Sequence, residues 1–103
     1  MHKLVVYGTL KPHKEDTHYF NGKMWDVGHF PCVKLDYDNL IPGQIIDVTD
    51  EELNRLDRYE GVPHLYTRQR VDCYDLSTGE FACNAFVYEW AGNTDNLREI
   101  DKW

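Results

Sequence analysis

Glu60 is the residue whose position in the sequence points most directly to chemistry. It lies seven residues after Leu53 and four after Leu56, a spacing that places all three side chains on one face of a helix. We therefore expect Glu60 to face inward, near the end of a helix that runs from Asp50 to Tyr59. Burial and the negative end of a helix dipole both raise the pKa of a carboxyl. A glutamate in this position is suited to taking and returning a proton near neutral pH.

The limits of that helix are indicated by residues at both of its ends. Thr49 and Glu52 have the spacing of a capping box, in which each side chain bonds the backbone amide of the other residue. Gly61 fits the left-handed residue that commonly ends a helix. Spacing alone leaves an alternative open, in which Glu60 turns out to water or pairs with an arginine. The arginines considered as partners are Arg55, Arg58 and Arg68.

A second candidate is the stretch from Tyr7 to Leu10, where an apolar run meets a glycine. Lys3–Tyr7 is predicted to be a buried strand. Gly8 admits backbone conformations that other residues avoid. The amides of Gly8, Thr9 and Leu10 can then point one way and form an anion-binding nest. The alternative is an ordinary turn between a strand and a loop.

The elements that must position these residues are mostly strands. Apolar, aromatic and β-branched runs predict strands at Lys3–Tyr7, Met24–Phe30, Cys32–Tyr37 and Gly43–Val48, and a hairpin of Tyr66–Tyr74 with Phe81–Trp90. Asp38-Asn39 indicates a turn, Lys11–Tyr19 a loop or short irregular helix, and the tail from Ala91 is polar. The pattern predicts an α+β fold with a curled or barrel-like mixed β-sheet and one main helix.

Length and charge narrow the classes of function. A chain of 103 residues is expected to form one domain, over residues 1–103. Its 18 acidic and 11 basic residues give a formal charge of -7, which makes nucleic acid and anionic membranes poor partners. No apolar run is long enough to span a bilayer, and the first residues lack the features of a signal peptide. The expected location is the cytoplasm.

Three cysteines, Cys32, Cys73 and Cys83, fit neither a disulfide framework nor a zinc site. Cys73 and Cys83 could face each other across the hairpin, but thiols of a cytoplasmic protein are expected to stay reduced. A nucleophilic Cys–His pair is not excluded by the sequence, although no cysteine lies at a helix start that would lower its pKa.

The histidines of the Lys11–Tyr19 stretch are the only other cluster that suggests a ligand. His13 and His18 enclose Glu15 and Asp16, but they are not spaced to share one face of a helix. A solvated polar loop explains them better, so we expect no metal site.

Taken together, these motifs resemble the γ-glutamyl cyclotransferase family, in particular its small AIG2-like branch, which includes the γ-glutamylamine cyclotransferases. The matching stretches, in order along the chain, are Tyr7–Leu10, Gly43–Ile45, Leu56–Gly61, Leu65–Arg68 and Phe86–Tyr88. The match in order and spacing runs from Lys3 to about Trp90. One departure follows the first motif, where this chain has Lys11-Pro12-His13 and the family commonly has a glycine.

The resemblance implies an enzyme that releases 5-oxoproline from a γ-glutamyl amine or γ-glutamyl amino acid, with no cofactor and no metal. Glu60 would be the acid/base, and the turn of Tyr7, Gly8, Thr9 and Leu10 would hold the substrate carboxylate. Tyr7, Tyr66 and Tyr88 are the aromatic residues expected to wall the pocket. The rival hypothesis is a non-catalytic module that keeps the fold and pocket and binds a small ligand or a protein.

Overall fold

Six β-strands and one α-helix make up the computed structural model, which describes all residues from Met1 to Trp103. The elements are β1 (His2–Val6), β2 (His18–Asp26), β3 (Pro31–Val48), α1 (Asp50–Tyr59), β4 (Tyr66–Asp75), β5 (Phe81–Trp90) and β6 (Arg98–Ile100). The helix and both strands of the hairpin lie where the sequence predicts them. The helix has 10 residues, and no helix has the length and apolar character needed to cross a membrane.

The strands form one mixed sheet in the order β3-β1-β5-β4-β2-β6, and β3 also pairs with β2. The hydrogen-bonded pairings therefore lead from β3 through four other strands and back to β3. Only β1 and β5 run parallel, in a pairing that joins Leu4 to Phe86. The predicted α+β class, with a curled mixed sheet and one main helix, is confirmed.

Two apolar clusters lie on opposite sides of β1. Val5 belongs to the cluster enclosed by the curled sheet, together with Phe20, Met24 and Val87. Leu4 and Val6 belong to the cluster that α1 covers. Because both faces of β1 are buried at Leu4, Val5 and Val6, this part of the strand is continuously apolar rather than alternating. The end of this strand is consequently held on two sides, at the point where the Tyr7–Leu10 turn begins.

The middle of the chain differs from the sequence prediction. The two strands expected at Cys32–Tyr37 and Gly43–Val48 are one strand, β3, and the turn expected at Asp38-Asn39 does not reverse the chain. The pairing with β2 jumps from Asn21↔Leu40 to Gly22↔Leu35, so residues 36–39 bulge out of the ladder. Such a bulge bends a strand and lets it serve both edges of a curled sheet.

One further strand was predicted with the wrong boundaries, and one strand was not predicted at all. β2 begins at His18 and ends at Asp26, earlier than the predicted Met24–Phe30 strand. The polar tail contains β6, whose Glu99 lies opposite Trp25 of β2. The start of β2 pairs with Gly43 and Asp75, and β6 pairs with β2, so both features depend on segments far along the chain that local sequence patterns do not report.

The helix is fixed at each end and by its buried face. Thr49 and Glu52 form the predicted capping box. At the other end, the Val62 amide donates to the Asp57 carbonyl at 3.0 Å, and Gly61 has φ +67. These are features of a Schellman ending. Leu53 is 4% exposed, and burial of a leucine contributes roughly 1.5–3 kcal/mol.

Candidate active site

A cavity of about 450 Å³ opens where the end of β1, the β2–β3 connection and the end of α1 meet. Every residue predicted for the site lines it: Tyr7, Gly8, Thr9, Leu10, Glu60, Tyr66 and Tyr88. The sequence analysis did not identify the other residues of the wall: Val5, Val6, His29, Phe30, Pro31, Tyr59 and Leu65. Val6, Tyr59 and Leu65 each adjoin a predicted site residue in the sequence, and this adjacency is the signal that could have indicated them.

Glu60 is the residue that ends the helix, with φ -81 and ψ -1. Its amide donates to the Leu56 carbonyl at 2.8 Å, and its side chain is half-buried in the cavity wall. None of the ion pairs of the protein includes Glu60, so the pairing with an arginine that spacing left open does not occur. Burial raises the pKa of Glu60 above its ordinary value.

The hydroxyl groups of three wall tyrosines, Tyr7, Tyr66 and Tyr88, are already bonded to acceptors within the protein. Tyr7 donates to the Tyr88 carbonyl at 2.6 Å, and Tyr66 donates to the Pro31 carbonyl at 2.9 Å. Tyr88 donates to Asp57 Oδ1 at 2.8 Å. Burial is the main cause that raises the pKa of each of these tyrosines. The three rings are therefore neutral walls in fixed positions.

Asp57, which accepts the hydrogen bond of Tyr88, also forms an ion pair. Besides accepting from Tyr88, it lies with Oδ2 2.9 Å from Nη1 of Arg68. That nitrogen is buried and makes no aligned hydrogen bond, so the contact is an ion pair rather than a directed bond. The Arg68 guanidinium also lies 4.7 Å from the ring centre of Phe86. Arg68, considered from the sequence as a partner of Glu60, is instead the partner of Asp57.

Gly8 is required for a reason different from the one expected. Its φ is not in the left-handed region, so the turn does not depend on an unusual glycine backbone. A Cβ at this position would lie 2.6 Å from Cγ and 2.9 Å from Cδ of Pro31, so a side chain would fit only if the Pro31 ring shifted. Glycine is present because the Pro31 ring occupies the space.

The turn after β1 closes with a bond from the Lys11 amide to the Gly8 carbonyl at 3.1 Å. Among the backbone hydrogen bonds outside the helix and strands, none is donated by the amides of Gly8, Thr9 or Leu10. No side chain accepts from these amides either. The turn therefore offers donors that the protein itself does not use, as an anion-binding nest requires.

The Lys11-Pro12-His13 stretch is anchored by Gln44, which is only 2% exposed. Gln44 Oε1 accepts from the His13 amide at 3.0 Å, and Nε2 donates to the His13 carbonyl at 2.8 Å and to Asp16 Oδ1 at 3.3 Å. Asp16 in turn lies 3.1 Å from the Lys11 ammonium. The segment that departs from the family pattern is thus held in place, and Lys11 is directed to Asp16 and does not line the cavity.

The model of the family described as "Gamma-glutamyl cyclotransferase, AIG2-like" matches residues 4–103. The chain belongs to this family. The AIG2-like family resemblance found in the sequence is therefore confirmed. No curated protein shows a significant match to the sequence.

Solved structures support the AIG2-like fold. An Arabidopsis thaliana protein, At5g39720.1, superposes with a TM-score of 0.74 at 22% identity, over 92% of this chain and 72% of its own. An AIG2-like protein from Mus musculus gives a TM-score of 0.72 at 24% identity, over 100% and 88%. YkqA from Bacillus subtilis gives 0.74 at 20% identity, over 99% of this chain and 39% of its own. At these identities the likeness establishes the fold alone.

The cysteines of this AIG2-like protein do not line the cavity and are free thiols. Burial raises the pKa of Cys32 to about 11 and that of Cys73 to about 12, so both remain protonated at neutral pH. A Cys–His nucleophile, which the sequence had left open, has no support at either position. Cys73 lies directly opposite Cys83 in the β4–β5 ladder, as the hairpin prediction anticipated.

Proposed function

We propose that this protein is a γ-glutamyl cyclotransferase that releases 5-oxoproline from a γ-glutamyl amine or γ-glutamyl amino acid. The observation that carries the proposal is the position of Glu60. It is a half-buried carboxylate with a raised pKa and no ion-pair partner, on the wall of the cavity that the Gly8–Leu10 turn also lines. A carboxylate of this kind, set in a cleft, suits acid–base chemistry.

The substrate would bring its own nucleophile. Glu60 accepts a proton from the α-ammonium group, and the resulting amine attacks the γ-carbonyl carbon. The new C–N bond closes a five-membered lactam, and the bond from the carbonyl carbon to the leaving nitrogen breaks. Glu60 gives this proton to the leaving nitrogen, then takes the second proton of the lactam nitrogen and passes it to the departing amine, so that an ammonium ion and 5-oxoproline leave and Glu60 is again a carboxylate. Atoms and charge balance without a cofactor, metal or enzyme nucleophile.

The remaining wall would hold the substrate folded, which supplies much of the acceleration in an intramolecular reaction. The amides of Gly8, Thr9 and Leu10 would donate to the α-carboxylate, and their lack of partners within the protein supports this role. Tyr7, Tyr66 and Tyr88 would pack against the carbon chain. Because their hydroxyl groups are bonded elsewhere, we assign these tyrosines a role in shaping the pocket rather than in proton transfer.

The free thiols suit a cytoplasmic location.

The test is release of 5-oxoproline from a set of γ-glutamyl amines and γ-glutamyl amino acids. With a compound that the parent protein cleaves, Glu60→Gln should lower kcat by roughly 10²- to 10⁴-fold, the usual share of general acid–base catalysis. Glu80→Gln is the matched control, because Glu80 is exposed on the hairpin turn away from the cavity. Retained turnover in Glu60→Gln would overturn the assignment. Binding without cleavage by the parent would favour the ligand-binding module.

A further inference from the structure

Asp57 is an acid of the helix that the proposed mechanism does not use. It lies three residues before Glu60, and residues three apart are neighbours on the surface of a helix. The Asp57 side chain is only 23% exposed, and it does not line the cavity. Because burial of a carboxylate is costly unless its charge is paired and hydrogen-bonded, this position calls for partners elsewhere in the protein.

The partners of Asp57 are the two members of one cross-strand pair. Arg68 of β4 lies directly opposite Tyr88 of β5. Oδ1 of Asp57 accepts from the Tyr88 hydroxyl at 2.8 Å, and Oδ2 lies 2.9 Å from Nη1 of Arg68. The two oxygens of a single carboxylate therefore join the last turns of the helix to two adjacent strands.

No other polar side chain ties this end of the helix to the sheet. Asp50 contacts His2 of β1, but it belongs to the first turn of the helix. Glu52 bonds within the capping box. Apolar packing is non-directional, so it resists a shift of the helix along the sheet less than directed contacts do. The contacts of Asp57 therefore determine where this end of the helix lies.

The same contacts continue to the opposite side of the cavity. The Tyr88 hydroxyl is held by Asp57, and the Tyr88 carbonyl accepts from the Tyr7 hydroxyl at 2.6 Å. Tyr7 is the residue from which the Gly8–Leu10 turn starts. An unbroken series of hydrogen bonds thus runs from the end of the helix that carries Glu60, through Tyr88, to the beginning of the turn.

We propose that Asp57 is a positioning residue, which sets where the Glu60 carboxyl lies relative to the Gly8–Leu10 turn. The inference rests on the proposed function, in which the turn holds the substrate carboxylate while Glu60 exchanges protons with two nitrogens. Each proton transfer requires the carboxyl to come within about 2.6–3.2 Å of the nitrogen. A misplacement of about 1 Å can cost roughly 10²-fold in rate. Asp57 itself touches no substrate and transfers no proton.

The test breaks the same contact from each of its two sides. Asp57→Ala removes the carboxylate, and Tyr88→Phe removes only the hydroxyl that the carboxylate holds. With a γ-glutamyl amide that the parent cleaves, each variant should lower kcat by roughly 10- to 100-fold with little change in KM, because the Gly8–Leu10 turn still binds the substrate. The double variant should be no slower than Asp57→Ala alone, since both changes remove one link. Losses that multiply, or an unchanged kcat, would overturn the inference.

Each variant has a matched control elsewhere in the sheet. Asp47→Ala removes an exposed aspartate of β3 that lies 3.1 Å from the Lys3 ammonium. Tyr19→Phe removes the hydroxyl of a β2 tyrosine that stacks on Tyr74. Neither residue lines the cavity, so both controls should keep the kcat of the parent. A control that loses as much as its partner variant would show that the losses come from the sheet as a whole, and would overturn the role of Asp57.

A measurement on Glu60 itself separates this inference from the proposed function. If the parent cleaves no γ-glutamyl compound, the proposed function fails, and the pKa of Glu60, measured by NMR on protein with ¹³C-labelled glutamate, decides the positioning role. Burial raises this pKa in the parent. Tyr88→Phe keeps every charge, yet it should lower the pKa toward the ordinary value of about 4.3, because a displaced carboxyl meets more water. The same pKa in both proteins would overturn the inference.

Discussion

At the scale of the residue, Glu60 combines a stability cost with a chemical use. Its pKa is raised in the folded protein because burial disfavours the charged form. The folded state therefore holds the proton more tightly than the unfolded chain does. The contribution of Glu60 to the free energy of unfolding is therefore fully present below the unfolded pKa of a glutamate, about 4.3. It is lost as the pH rises through the higher folded pKa.

This linkage predicts how Glu60→Gln changes stability with pH. The free energy of unfolding of the variant, relative to the parent, should increase as the pH is raised from about 4 toward neutrality, because glutamine has no charge to bury. Denaturant titrations at several pH values would measure the difference. Glu80→Gln controls for the loss of one negative charge. A difference that stays constant with pH would show that Glu60 titrates alike in both states.

Gly8 offers a second prediction at this scale, because its role rests on a single steric contact. Gly8→Ala places a methyl group against the Pro31 ring and should cost about 1–3 kcal/mol, as overpacking commonly does. The displaced turn should also bind a γ-glutamyl ligand more weakly. Pro31→Ala removes both contacting carbons, so the double variant should recover much of the loss. Thermal unfolding would measure the stability and calorimetry the ligand affinity. An absence of recovery would mean that position 8 needs glycine for its backbone conformation and not to avoid the Pro31 ring.

At the scale of the element, the loop from Lys11 to Asp16 depends on one side chain of β3. Gln44→Leu removes three hydrogen bonds and leaves Asp16 and the backbone of His13 short of partners. A loss of about 1–3 kcal/mol is expected, since each hydrogen bond contributes roughly 0.5–1.5 kcal/mol and water replaces part of what the exposed His13 loses. The exchange of the His13 amide with deuterium should become much faster.

The control for this prediction is Gln69→Leu, the same substitution on an exposed position of β4. Its side chain makes a single bond, to Thr67. Little change is expected in stability or in exchange at His13. If the two leucine variants behave alike, Gln44 is not what anchors the loop.

At the scale of the whole molecule, ring-like strand pairing protects the thiols. Cys32 and Cys73 are 0% exposed, and Cys73 lies on a strand between two paired neighbours. Modifying them should require the sheet to open, so they should react at the rate of global unfolding, while Cys83 reacts sooner. Mass spectrometry after alkylation, without reductant, should count three thiols in denaturant. A count of one would establish a Cys73–Cys83 disulfide.

The sequence by itself determined the features that depend on near neighbours. The capping box at Thr49, the ending at Gly61 and the inward face of Glu60 all follow from residues within one or two helical turns. The hairpin of β4 and β5 follows from two alternating runs and a short turn. The order of the motifs also identified the family, because order and spacing are properties of the chain itself.

Only the tertiary structure decided the features that join distant segments. The Pro31 ring that makes glycine necessary at position 8 comes from another strand, and the partner of Arg68 comes from the helix. The bulge at residues 36–39 and the pairing of β6 arise from long-range register. Tyr59 and Leu65 were recognised as wall residues only when the cavity was seen, since the lining of a cavity depends on how distant segments pack. Local patterns report periodicity and capping, whereas cavities and ion pairs are set by packing.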